Sequence, residues 1–180
     1  MMRDLFRLLA PAALVSLAAP AQAGELFVGA YVHEVDTPFT LKVAERGADI
    51  ALGYRFEPIE RWHAIGKPAP YVIASINTVG DTSFAGAGLS WKLGKGPFYF
   101  RPAIGLVVHD GDNRRIERVS GRDRGLGSRV LFEPELAVGW RASDRLALEA
   151  SWMHVSHAQL FDADQNPGID MMGLRLNWKQ

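Results

Sequence analysis

Three side chains near the C-terminal end of the chain have the types and spacing of an acyl-transfer site: His154, Ser156 and, fourteen residues after Ser156, Asp170. A serine hydroxyl is a weak nucleophile at neutral pH. It needs a base within hydrogen-bond reach, and the base needs a group that fixes its tautomer. In an extended strand, positions i and i+2 share a face, so His154 stands beside Ser156. If an antiparallel neighbour brings Asp170 opposite His154, the two Cβ atoms lie about 5 Å apart. The carboxylate can then hold the imidazole with its other nitrogen turned to the hydroxyl. His-x-Ser alone is a common accident of sequence, so its meaning depends on which solvent that face meets.

Reading every second residue identifies the solvent. Residues 130–141 place Val130, Phe132, Pro134, Leu136, Val138 and Trp140 on one face and Leu131, Glu133, Glu135, Ala137, Gly139 and Arg141 on the other. With this segment extended to 127–141, the same period of two recurs at 25–34, 47–56, 70–78, 83–93, 98–109, 145–156 and 169–179, which makes eight predicted strands and leaves no competing helical period. The second face carries Arg55, Lys92, Arg101, Glu133, Glu135, Arg141, Glu149 and Arg175 among small residues such as Gly86, Gly88, Gly105 and Gly139. Charges among glycines make a poor sandwich core but a workable ion-paired filling for a narrow barrel. The pattern therefore predicts an all-β fold, an eight-stranded antiparallel transmembrane β-barrel with apolar side chains toward lipid. No run of about 18 apolar residues follows the N-terminal segment, so a spanning helix is not expected, and only a closed barrel otherwise satisfies the backbone in lipid.

The N-terminal segment reads as an export signal. Arg3 and Arg7 precede an apolar run from Leu8 to Ala19, and Ala21-Gln22-Ala23 offers a small-x-small cleavage site. The expected domains are a cleaved signal peptide, 1–23, and one barrel domain, 24–180. With no cysteine, the exported chain has no disulfide available. Its 20 basic and 20 acidic residues balance, which removes the electrostatic case for nucleic acid. Short turns at 94–97 and 142–144 belong below the barrel, and the longer polar connections 35–46, 110–126 and 157–168 above it. The connections 57–69 and 79–82 depart from that rule. Phe56, Trp91, Trp140 and Trp178 are placed to form a lower aromatic girdle. His33 and His109 are expected as solvent-exposed rim residues, and His63 in a periplasmic turn. No histidine has carboxylates at metal-ligand spacing. The arginines of 110–126 are expected to be solvated, within reach of lipopolysaccharide phosphates.

Continued in phase, the lipid face of the seventh strand runs Leu146, Leu148, Ala150, Trp152, His154, Ser156. That of the eighth runs back from Trp178 to Met172 and Asp170. The three reactive types thus fall on the lipid-facing register at the outer end of one hairpin, where polar groups are costly unless functional or interfacial.

His154-Val155-Ser156-His157-Ala158, followed by Asn166-Pro167-Gly168-Ile169-Asp170, resembles the lipid A 3-O-deacylases of the PagL type. That family's pattern reads His-x-Ser-Asn-Ala-Gly, then an Asn-rich loop and Gly-Ile-Glu. The resemblance covers about 17 residues. It implies an outer-membrane esterase of Gram-negative bacteria that removes the 3-O-linked hydroxyacyl chain of lipid A without a cofactor, with Ser156 as nucleophile, His154 as general base and Asp170 as orienter. The chain departs from the pattern in using Asp for Glu, two residues later, and in placing His157 and Gln159 where the family has Asn and Gly. Oxyanion donors are then sought in the His157 ring and the N–H groups of Ala158 and Gln159, and an acyl groove beside Trp152, Ala150 and Met172.

Other readings stay open at this point. They are a catalytically silent structural or adhesive barrel, a periplasmic lipocalin-like carrier, and an interfacial phospholipase using the same three residues. Homo-oligomerisation is also open.

Overall fold

The computed structural model describes residues 24–40, 43–113, 125–158, 160 and 167–180. The predicted signal peptide, Gln159 and the arginines at 114, 115, 118, 122 and 124 lie outside the described residues. Eight strands run in chain order: β1 (Glu25–Val32), β2 (Ala48–Arg55), β3 (Ala69–Asn77), β4 (Phe84–Ser90), β5 (Phe98–His109), β6 (Val130–Arg141), β7 (Leu146–Ser156) and β8 (Gly168–Lys179). Each pairs antiparallel with the next, and β8 returns to β1, closing the barrel. Closure leaves no sheet edge, as a wall standing in lipid requires. The outward positions are large and apolar, Ile50, Leu52, Ile104, Leu106, Val138 and Leu174 among them, all exposed as a lipid-facing belt should be.

Four local features depart from the period-of-two reading. β4 ends at Ser90 rather than 93, because Pro102 has no N–H with which to answer. Trp91 N–H still donates to Pro102 O at 2.9 Å, and the ladder resumes at Leu93 and Phe100, bonded both ways at 2.8 Å. The long lower connection contains a 3₁₀ helix, Glu60–Ile65, and Trp91 is half-covered by it, its indole donating to Ile65 O at 2.7 Å. The short upper connection is closed by Asn77, whose Oδ1 accepts the N–H groups of Val79 and Asp81 at 3.0 and 3.2 Å.

The fourth departure lies inside the barrel. Arg55, Arg101, Glu133, Glu135, Glu149 and Arg175 are all buried as predicted. Lys92 and Arg141 instead sit at the lower mouth, the first exposed and the second half-exposed, because Lys92 lies two residues past the end of β4 and Arg141 is the last residue of β6. Glu25, absent from the predicted set, joins in their place: its Oε1 accepts from Arg55 at 2.6 Å and from Arg101 at 2.8 Å. Arg175 lies at the centre, bonding Glu149 through Nε at 2.8 Å and Glu135 through Nη1 at 3.0 Å. The guanidinium carbons of Arg55 and Arg175 each lie 4.9 Å from the ring centre of Phe27. An eight-stranded barrel has an interior just wide enough for side chains, and the inward glycines give way to rings: a Cβ on Gly139 would stand 2.1 Å from Tyr99 Cζ. Toward the outer end the lumen turns apolar, with Val107, Leu126, Leu131, Met153, Val155, Ile169 and Met171 closing it.

Two expected rim histidines are buried instead. His33, just past β1, is 4% exposed, and His109 is 2% exposed. Loop residues Glu45 and Ser128, with the inward-facing Asp49 of β2, supply partners that solvent would otherwise provide. His109 Nε2 meets Ser128 O at 2.6 Å, while His33 bridges Asp49 through Nδ1 at 2.6 Å and Glu45 through Nε2 at 2.8 Å. Burial alone would push the His33 pKa down, but the hydrogen bonds and charges of Asp49 and Glu45 outweigh it and raise it to about 9. A histidine pKa raised on folding stabilises fully below its unfolded value of about 6.5 and loses that stabilisation as pH rises through the folded one.

Two predictions follow from these charges. Replacing Arg175 by Met leaves Glu135 buried without its counter-charge, while Glu149 keeps only Arg101 at 2.8 Å, and should cost about 3–5 kcal/mol. The check is urea unfolding of the refolded barrel in micelles, where an unchanged midpoint would contradict this account of the lumen. Raising pH through about 9 should release the β1–β2 loop from His33. Tryptic cleavage after the exposed Arg46, normalised to a free peptide, should accelerate over that interval.

Candidate active site

The β7–β8 ladder sets the site. Its register pairs Glu149 with Arg175 inside the barrel and His154 with Asp170 outside, so His154 meets Asp170 directly across the ladder and Ser156 two residues along the same face. His154 Nδ1 lies 3.0 Å from Asp170 Oδ1, and Nε2 lies 2.8 Å from Ser156 Oγ. A carboxylate accepts from Nδ1–H, which leaves Nε2 as the lone-pair nitrogen facing the hydroxyl. The chain Asp170–His154–Ser156 therefore has the polarity needed for Ser156 to lose its proton to the ring. His154 is partly open, its side chain 13% exposed, whereas Asp170 is wholly buried, and Ser156 lies just beneath the surface at 3%.

Burial of Asp170 on an outward register has a cause that periodicity did not reveal. In a closed barrel, the loop leaving β1 lies beside the start of β8, and here it folds over that strand's outer face. Val35 N–H donates to Asp170 O at 2.7 Å. The Thr37 and Thr40 hydroxyls both donate to Asp170 Oδ2, Thr40 at 2.9 Å. Trp152 adds a third kind of contact, its indole N–H donating to Oδ1 at 2.9 Å, while Phe39 packs on its ring with centroids 5.6 Å apart. Four side-chain donors thus converge on one carboxylate. Sequence reading gave Trp152 no contact with Asp170 and did not single out Thr37 or Thr40. The available signal was barrel closure, which brings Asp36-Thr37-Pro38-Phe39-Thr40 next to Asp170.

The predicted oxyanion residues separate. Ala158 N–H points to Ser156 Oγ at 3.4 Å, from a residue whose φ of +53° is rare for a side chain with a Cβ. His157 continues the inward parity of Met153 and Val155, and its ring is buried against Gly127, where an added Cβ would stand 3.1 Å from Nε2. Its place beside the nucleophile, expected from sequence, is taken by backbone. The three groove residues are brought together: an open groove of about 310 Å³ on the outer wall is lined by Ala150, Trp152 and Met172 with Phe100, Leu136 and Val138.

A family model described as lipid A 3-O-deacylase (PagL) matches residues 44–179. The chain belongs to this family. Its members are ester hydrolases, and the protein is accordingly an outer-membrane β-barrel enzyme. The fold agrees with solved structures. The outer membrane enzyme PagL aligns at TM-score 0.55 and 16% identity, covering 84% of this chain and 98% of that one. Neisserial surface protein A aligns at 0.56 and 9%, covering 87% and 97%. A de novo designed transmembrane β-barrel aligns at 0.51 and 11%, covering 90% and 98%. Comparison with curated protein sequences returned no match.

Trp152→Phe keeps the ring and removes the donor to Asp170. A hydrogen bond to a charged group contributes roughly 1.5–3 kcal/mol, so lipid A deacylation should slow by about tenfold or more. The initial rate in mixed micelles measures it, with barrel folding unchanged.

Proposed function

We propose that this chain hydrolyses the 3-O-linked acyl ester of lipid A with Ser156 as nucleophile, His154 as general base and then acid, and Asp170 as orienter. The observation that carries the reading is the unbroken hydrogen-bond chain from Asp170 through His154 to Ser156, on the outer wall at the upper strand ends.

His154 Nε2 takes the Ser156 proton as Oγ attacks the ester carbonyl. Charge develops on the carbonyl oxygen beside Ser156, where Ala158 N–H, 3.4 Å from Oγ, is the donor assigned to it. As the tetrahedral intermediate collapses, the bond to the sugar 3-oxygen breaks, and His154 returns the proton to that oxygen. Water then attacks the acyl-Ser156 ester with His154 again accepting a proton, and the fatty acid leaves as Oγ recovers its hydrogen. Throughout, Asp170 keeps Nδ1 protonated and stabilises the transient imidazolium. The apolar groove beside Trp152, Ala150 and Met172 holds part of the acyl chain, so the ester can react while its tail stays in the membrane. Residues 1–23 serve in this reading as the export leader, and no cofactor takes part.

Mass spectrometry of lipid A from cells producing the wild-type chain or Ser156→Ala tests this directly. The wild type should remove one hydroxyacyl chain, and the variant should leave lipid A intact. Free fatty acid arising from phospholipid while lipid A stays whole would assign the triad to a phospholipase instead.

A further inference from the structure

We propose that Thr37 and Thr40, on the loop after β1, are positioning residues for Asp170 and act on the reaction through it. The inference rests on the reading of Ser156 as nucleophile. A carboxylate on a short arm has a broad, roughly two-fold torsion about its last bond. Either oxygen can face the imidazole, and the plane can turn away from it. In this structure the oxygens are not equivalent: Oδ1 receives His154 Nδ1 and Trp152 Nε1, at 3.0 and 2.9 Å, and Oδ2 receives, among the described residues, the two threonine hydroxyls.

The threonines thus hold the plane of the carboxylate from the side opposite the ring, which keeps Oδ1 on Nδ1 and Nε2 on Ser156. Their reach is fixed by backbone: Val35 N–H to Asp170 O at 2.7 Å anchors the loop to β8, and Thr40 Cγ2 would lie 3.0 Å from a Cβ on Gly168, at the start of that strand. Neither hydroxyl is in a hydrogen bond with His154 or Ser156, so neither is placed to touch the reacting ester. The competing account makes Asp170 merely the anchor that holds the loop down. In that case the loop's order, and not the reactivity of Ser156, would depend on the threonines.

Labelling of the refolded full-length barrel in micelles with an alkyl fluorophosphonate separates the two accounts, because it reads the nucleophilicity of Ser156 without the natural substrate. Oγ attacks phosphorus, fluoride leaves, and His154 takes the hydroxyl proton. Wild type should label at Ser156 and Ser156→Ala should not. Thr37→Val with Thr40→Val should label about tenfold slower or worse, a loss typical of a disturbed orienting group. Thr37→Ser with Thr40→Ser, which keeps both hydroxyls, should recover to within about twofold. In an Asp170→Asn background the valine pair should cost little more, since groups that act through one another are not additive.

Labelling of the valine pair at the wild-type rate would overturn the proposal. So would a serine pair as slow as the valine pair with the barrel folded, as judged by its heat-modifiable mobility, or a full additional loss in the Asp170→Asn background. Equal labelling of wild type and Ser156→Ala would instead sink the nucleophile assignment, and the positioning role with it. If the valine pair fails to fold, the single valine variants carry the same comparison.

Discussion

The register of the β7–β8 ladder is what the site depends on, and a buried ion pair holds it. Glu149 and Arg175 face each other across this ladder inside the barrel, five residues along β7 from His154 and in the same register that sets His154 against Asp170 outside. A slip of β8 by one residue would turn its side chains to the other face, putting Arg175 into lipid and Asp170 into the lumen. A slip of two would keep the faces but separate Glu149 from Arg175 and His154 from Asp170 together. The lumen charges and the external triad therefore stand or fall on one alignment.

Such a cluster contributes more to uniqueness than to stability. Bringing Arg55, Arg101 and Arg175 out of water with four carboxylates costs several kcal/mol per ion, and mutual attraction recovers this only when the hydrogen bonds are well made. Here the planar guanidinium of Arg175 reaches two carboxylates at once, which a lysine ammonium would do without directional fit. Tyr99 and Ser151 add hydroxyl donors to Glu149 and Glu135 at 2.7 and 2.8 Å. Outside, the lipid-facing side chains meet a solvent as apolar as themselves, so the specific contacts lie in the lumen and the ladder bonds rather than in an apolar core of the usual kind.

Period-two alternation made the wall legible: all eight strands, their faces, and the placement of His154, Ser156 and Asp170 on one outward register could be read from it. It failed where the deciding contact was not local. Pro102 cut β4 short from the strand opposite. His33 and His109 were taken for rim residues because strand parity says nothing about loops folding back over the mouth, and in fact Glu45, Asp49 and Ser128 enclose them. Parity did contain the position of His157, one step past Ser156 and hence inward, but resemblance to an asparagine in the family pattern suggested the opposite. Thr37 and Thr40 lie more than 120 residues before Asp170, and only closure of β8 onto β1 makes them neighbours.

Height on the wall explains why the site is at the strand ends and not lower. The proposed reaction needs water at Ser156, which the hydrocarbon zone does not hold, and an apolar wall for the acyl chain, which the strands supply. At about 3.3 Å per residue, Ser156 stands roughly 20 Å along β7 from Ala150, with Trp152 between the two. The groove thus reaches down into the apolar belt while the partly open His154 stands at the upper strand end. Low surrounding dielectric strengthens the His154–Asp170 bond and equally penalises any unpaired charge there, which is why Asp170 is saturated with donors and covered by a loop. A triad on the outer surface of a barrel is consistent with these demands only at this level, where an ester with its tail in lipid and a water from the interface can meet at the same oxygen.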